Sequence, residues 1–174
     1  LSNDTPVALT WDNGQGLKFT RTFSVDDKYM FTITQTVANS GSKAAALHPY
    51  GLISRRTTPE VSGFYIIHEG LMGVANSTLK EVDYDDLPDD PNIATNSGGG
   101  WIGITDKYWL TALIPDQKAP FTGTFRHSNP KNKDTYQADF MTQAPQLIQP
   151  GAKAQTVSRI FVGAKEVHLL AKYR

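Results

Sequence analysis

An all-β fold follows from three features of the sequence. Apolar and polar residues alternate with a period of two along most of the chain. Turn residues recur at short, regular intervals, and no long segment carries a 3.6-residue period before the last residues. About ten strands spaced in this way predict a large twisted antiparallel β-sandwich or barrel. A single domain spanning residues 1–174 suits this length, since a chain of this size buries roughly 70 % of its unfolded surface.

The elements follow in order. Val7 to Trp11 is the first predicted strand, and Asn13-Gly14-Gln15-Gly16 is the turn that ends it. Leu17, Phe19, Phe23 and Val25 alternate with Lys18, Thr20, Thr22 and Ser24. Tyr29, Phe31, Ile33 and Val37 alternate with Met30 and three threonines. Asp26-Asp27-Lys28 joins these two runs with a hairpin-sized loop. After the turn signal Asn39-Ser40-Gly41-Ser42, a run passes through Leu47, Tyr50 and Leu52. Further strands are predicted at 70–75, 101–104, 109–114, 121–127, 135–141, 146–148 and 154–162. Gln149-Pro150-Gly151 supplies Pro and Gly at the central positions of a type II turn. Residues 83–96, with Pro88 and Pro91, read as an exposed polar excursion. Val167, Leu170 and Ala171 fit one side of a short C-terminal helix beginning at residue 164.

Composition removes several functions. Lys and Arg number 17, as do Asp and Glu, so no long-range field steers nucleic acid or an anionic membrane onto the surface. The longest basic patch, Lys131 and Lys133 near Arg126, is interrupted by Asn and Pro and lacks an aromatic-basic motif. No nucleic-acid partner is expected. The absence of cysteine removes disulfides, thiolate metal sites and cysteine nucleophiles. No run reaches the ~20 apolar residues of a membrane span. The start lacks an initiator Met and the end stops inside a helix-like pattern, so a domain excised from a longer protein is expected.

Each candidate motif has a structural reading beside the chemical one. Gly98-Gly99-Gly100 lacks the Lys and the helix of a Walker loop, and lacks the helix of a dinucleotide fingerprint. Glycines at a strand entrance instead permit a bulge or a close backbone approach. The segment DYDDLPDDPN, counted from Asp83, has Pro88 where an EF-hand loop needs Gly and Ala94 where it needs Glu. It reads as a solvated acidic loop. His48, His68, His127 and His168 show no metal-binding spacing, and neither Ser42 nor Ser62 sits in a nucleophile elbow. Glu60, Glu69 and Glu81 are available as carboxylates, but nothing marks them. Phe64, Tyr65, Trp101, Tyr108 and Trp109 either line a concave face for a sugar ring or extended peptide, or fill the core.

The stretch GGWIGITDKYWLTALIP, at 99–115, resembles the periplasmic domain of the YidC family of membrane protein insertases. The likeness continues through residues 17–23, 29–39 and 69–74. It ends with Gln149-Pro150-Gly151 and Phe161-Val162-Gly163-Ala164-Lys165, and so covers essentially the whole chain. The resemblance implies a galactose-mutarotase-like supersandwich closed by a C-terminal helix, with Val167, Leu170 and Ala171 on its buried face. It places the domain between a first transmembrane helix and a five-helix core, at the periplasmic face of the bacterial inner membrane. It implies an accessory role in the insertion and folding of nascent membrane proteins, alone or with the Sec translocon through SecD/SecF. Neither catalysis nor a cofactor is implied. The mutarotase likeness also raises sugar epimerase chemistry, which needs a facing His and Glu as acid and base. None of the histidines falls on that motif. A carbohydrate- or peptide-binding module without chemistry stands as the alternative.

Overall fold

The computed structural model describes residues 1–59 and 68–165, which form fourteen strands and one 3-10 turn, Pro130–Asn132. Strands β1 (Val7–Asp12), β2 (Leu17–Val25) and β3 (Met30–Asn39) open the chain. They are followed by β4 (Ala45–Leu47), β5 (Tyr50–Arg56), β6 (Gly70–Ala75), β7 (Thr78–Asp83) and β8 (Asn92–Ser97). Then come β9 (Gly100–Thr105), β10 (Trp109–Ile114), β11 (Phe121–Ser128), β12 (Thr135–Thr142), β13 (Gln146–Ile148) and β14 (Lys153–Ala164).

An eight-stranded sheet runs β1-β2-β3-β14-β10-β9-β6-β7, a four-stranded sheet runs β5-β12-β11-β8, and β13 pairs with β4. Every pairing is antiparallel, so the β-sandwich reading holds. Local chemistry fixes the turns. Asp26 Oδ1 accepts the N–H groups of Lys28 and Met30 at 2.8 and 3.0 Å, closing the β2–β3 hairpin. Gly151 adopts φ +78 and the Ala152 N–H reaches the Gln149 carbonyl at 3.0 Å, as the Pro-Gly pair predicts.

The main core lies between the two sheets. Leu71, Val82, Ile102, Ile104 and Leu113 from the large sheet meet Phe121, Phe125, Tyr136, Ala138 and Phe140 from the small one. Period-two alternation turns these side chains inward and sends their neighbours to the other face. There Met30, Leu110, Ala112 and Phe161 form a second cluster, with Met72, Trp101 and Ile114 against it.

Three sequence expectations are corrected. Residues 83–96 are not wholly an exposed excursion. They contribute the end of β7 and most of β8, and Tyr84 and Leu87 are fully buried between flanking exposed aspartates. Polar composition hid this, because two anchors suffice to pin a loop whose remaining side chains face water. Strands number fourteen among the described residues rather than about ten. The C-terminal helix does not begin at Ala164, which is the last residue of β14 and pairs with Trp109. The Lys165 N–H extends the ladder to the Tyr108 carbonyl at 2.9 Å, satisfying backbone groups that a helix start would leave open. Val167, Leu170 and Ala171 lie outside the described residues, as do Phe64 and Tyr65.

Candidate functional site

The site builds outward from the β9–β10 hairpin. Gly100 enters β9 at φ +130, and a Cβ there would stand 1.9 Å from the Val74 carbonyl oxygen. Within the three-glycine run it is therefore Gly100 that serves a close approach between β6 and β9. Gln117 stitches the same corner: its Oε1 accepts the Gly100 N–H at 2.8 Å and its Nε2 donates to the Gly100 carbonyl at 3.0 Å.

The hairpin separates the predicted aromatics. Leu113 pairs with Ile102 and Leu110 with Thr105, so Trp101 shares a face with Leu110 and Ala112, and Trp109 lies on the other. Trp101 packs on the outer cluster at one end of the hairpin. Trp109 and Tyr108 sit at the other end, 62 % and 63 % exposed, and Lys107 Nζ lies 5.4 Å from the Tyr108 ring centre. Trp101 and Trp109 thus do not line one wall.

What Trp109 does line is a polar cleft of about 290 Å³ on the inner face, with Ile53, Ser54, Arg55, Ile104, Asp106 and Thr111. Arg55 Nη1 donates to Asp106 Oδ2, and the Tyr84 hydroxyl donates to Asp106 Oδ1 at 3.1 Å. The guanidinium carbon lies 6.0 Å from the Tyr84 ring centre. Arg55 Nε is buried and carries no hydrogen bond. Burial, then the nearby Asp106 charge, pushes the Tyr84 hydroxyl well above the usual tyrosine range, so it acts as a donor at neutral pH. Behind it, Tyr136 packs edge-on against Tyr84 at 4.6 Å and its hydroxyl meets Thr58 Oγ1 at 2.7 Å.

A second feature lies further along the same face. Among the described residues the small sheet packs on β6, β9 and β10 and leaves the inner face of β1 and β2 uncovered. A groove of about 400 Å³ runs there, lined by Leu9, Trp11, Phe19, Arg21, Gln35 and Val37. Trp11 stacks tilted on Phe19 with ring centres 5.2 Å apart, and Arg21 Nη2 donates to Gln35 Oε1 at 3.1 Å.

The three described histidines have structural partners, while His168 lies outside the described residues. His48 Nδ1 meets the Thr142 carbonyl at 2.7 Å, His68 lies between the Leu71 carbonyl and Asp83, and His127 pairs with Asp134 at 2.9 Å. Among the described residues no three His, Asp or Glu side chains converge as a metal site, and no helix is long and apolar enough to cross a membrane. Arg55, Asp106 and Tyr84 were not singled out from the sequence. The available signal was an arginine at the inward position of a strand whose other inward residues are Gly51 and Ile53.

Fold and site together define a mutarotase-like β-supersandwich presenting a polar cleft and an apolar groove. The X-ray structure of a galactose mutarotase related enzyme from Lactobacillus acidophilus superposes with a TM-score of 0.65, covering 93 % of this chain and 68 % of that one at 11 % identity. At that identity the likeness speaks for fold alone. The family model of the YidC periplasmic domain matches residues 1–174. Membrane protein insertase YidC of Methylobacterium nodulans is 44 % identical over the whole chain, and that of Granulibacter bethesdensis is 43 % identical. The chain belongs to the YidC periplasmic domain family. It spans 30 % and 31 % of the length of these two relatives.

Proposed function

We propose that this domain is the periplasmic accessory and interaction region of a multi-pass inner-membrane insertase and chaperone. It works by binding rather than by catalysis, with no cofactor, and assists insertion and folding of nascent membrane proteins alone or with the Sec translocon. The observation that carries this reading is the whole-chain family match to relatives named membrane protein insertase, each about three times as long as this chain. The uncovered apolar inner face of β1 and β2 supports it physically, since an exposed apolar patch on a soluble-facing domain marks an interaction surface. SecD and SecF are the proposed partners. Retention of the domain by their purified periplasmic regions at low salt tests the partner role, and repeated failure to retain it would count against it.

A second reading, a carbohydrate- or peptide-binding module, rests on the polar cleft. An exposed Trp109 ring beside an Arg55–Asp106 pair offers a stacking platform and charged hydrogen-bonding groups in one place. Titration of glycans and unfolded peptides followed by tryptophan fluorescence separates the two readings. A saturable change lost in Trp109→Phe supports the module, and a flat response across the panel removes it.

A further inference from the structure

Among the described residues the large sheet ends on two open edge strands, and the two differ. At the far end β7 carries Lys80, Glu81 and Asp83, the charges that keep edge strands from pairing. At the near end all six residues of β1, Val-Ala-Leu-Thr-Trp-Asp, are exposed, and the only charge is Asp12 at its terminus. Val7, Leu9 and Trp11 form an apolar row on the inner face, 47 %, 61 % and 63 % exposed.

The hydrogen-bond phase of β1 is fixed by its neighbour. The Asn13 N–H donates to the Leu17 carbonyl at 3.0 Å, and the β1–β2 register continues as Trp11↔Phe19, Leu9↔Arg21 and Val7↔Phe23. Antiparallel ladders alternate, so residues 7, 9 and 11 bond to β2 while the N–H and C=O groups of Ala8, Thr10 and Asp12 point to the open edge.

We infer that β1 is a dimerisation strand, and that the occupant of this edge is β1 of a second copy, antiparallel about a two-fold axis through Thr10. The β1 edge is self-complementary. In that register Thr10 faces Thr10 of the copy and Ala8 faces Asp12, so every open backbone group of β1 finds a partner. Asp12 is kept apart from its own copy, and Pro6, which has no N–H, stays outside the ladder. Moving the axis to Asp12 would place two carboxylates opposite each other, and moving it to Ala8 would set Thr10 against Pro6. On the inner face Leu9 meets Trp11 of the copy at a closely spaced, non-hydrogen-bonded pair, the cross-strand contact favoured between aliphatic and aromatic side chains. The axis is perpendicular to the sheet, so both apolar inner faces turn the same way and join. The two small sheets, packed on β6, β9 and β10 of each copy, stay far apart. The resulting interface is isologous and closes as a dimer. This inference is independent of the insertase reading.

Sedimentation velocity of the 174-residue chain from low micromolar to near-millimolar concentration tests it. The expected result is a concentration-dependent monomer–dimer equilibrium. Thr10→Pro removes only an outward N–H, and Leu9→Lys puts a charge at the centre of the seam. Each is expected to weaken dimerisation about tenfold or more, with an unchanged circular dichroism spectrum. Because the protein has no cysteine, Thr10→Cys gives a single thiol that a short bis-maleimide should link between copies, whereas Leu79→Cys on β7 should remain unlinked. A chain that stays monomeric throughout, including one that instead captures other extended peptides at β1, overturns the proposal. So does a dimer insensitive to both substitutions, or cross-linking through β7.

Discussion

Gly100→Ala is the most informative single substitution, because its cost can be worked from two features of the backbone. At φ +130 the backbone occupies a region that L side chains rarely adopt, which costs about 1–3 kcal/mol. The new methyl would also stand 1.9 Å from the Val74 oxygen, so β6 and β9 must separate where Ala75 pairs with Gly100. Losing one or two ladder bonds there adds about 1 kcal/mol each. The sum is about 2–5 kcal/mol, a fall in melting temperature of about 10 °C for a domain of this size. Gly98→Ala is the internal control. Its nearest neighbour would be Asn76 Oδ1 at 3.9 Å and its φ is not positive, so it should stay within about 0.5 kcal/mol of wild type. Urea unfolding of both variants by tryptophan fluorescence gives the comparison. A Gly100→Ala protein within 1 kcal/mol of wild type, or a Gly98→Ala protein equally destabilised, would refute the close-approach account.

Other consequences follow from the core and the cleft. Leu71→Ala empties a fully buried position between the sheets and should cost about 3–4 kcal/mol in urea unfolding. Asp106→Asn leaves Arg55 without its carboxylate and weakens the acceptor of the Tyr84 hydroxyl. The pair is partly exposed, so the expected loss is about 1–2 kcal/mol, between surface and buried values. Tyr84 ionises less readily in the folded chain than in the unfolded one, where its value is 10.0. Its contribution to stability is therefore full below about pH 10 and is lost as pH rises beyond it, and Tyr84→Phe should flatten that alkaline decline in unfolding curves taken at stepped pH. Acrylamide should quench Trp11 and Trp109 efficiently and Trp101 poorly, which single-tryptophan variants would read directly.

The strands were legible because their pattern is local. Phe19, Phe23, Ile33 and Val37 alternate within a few residues of one another, and that alternation is the inner face itself. The hairpin loop at Asp26 and the Pro-Gly turn at 150–151 were legible for the same reason, since side chain and backbone needs are met within four residues. Strand β8 was not legible. Asn92, Asn96 and Ser97 are weak strand formers alone and become a strand by pairing with β11, a contact made about 28 residues away. Tyr84 and Leu87 were hidden by the acidic residues around them. The cleft depends wholly on long-range contact, because Arg55 and Asp106 are 51 residues apart and meet only after β5 folds over β9 and β10. Trp101 and Trp109 looked alike as aromatics eight residues apart. The strand parity across the hairpin puts them on opposite faces, which only the register decides.

The proposed function is binding within a membrane-insertion apparatus. Its most direct measurement is equilibrium binding of the purified 174-residue chain to immobilised periplasmic regions of SecD and SecF, read beside an aldose mutarotation assay on the same protein. Saturable binding with no mutarotation above the uncatalysed rate is the result expected of this function. Catalytic turnover of an aldose with no detectable SecD/SecF binding would contradict it.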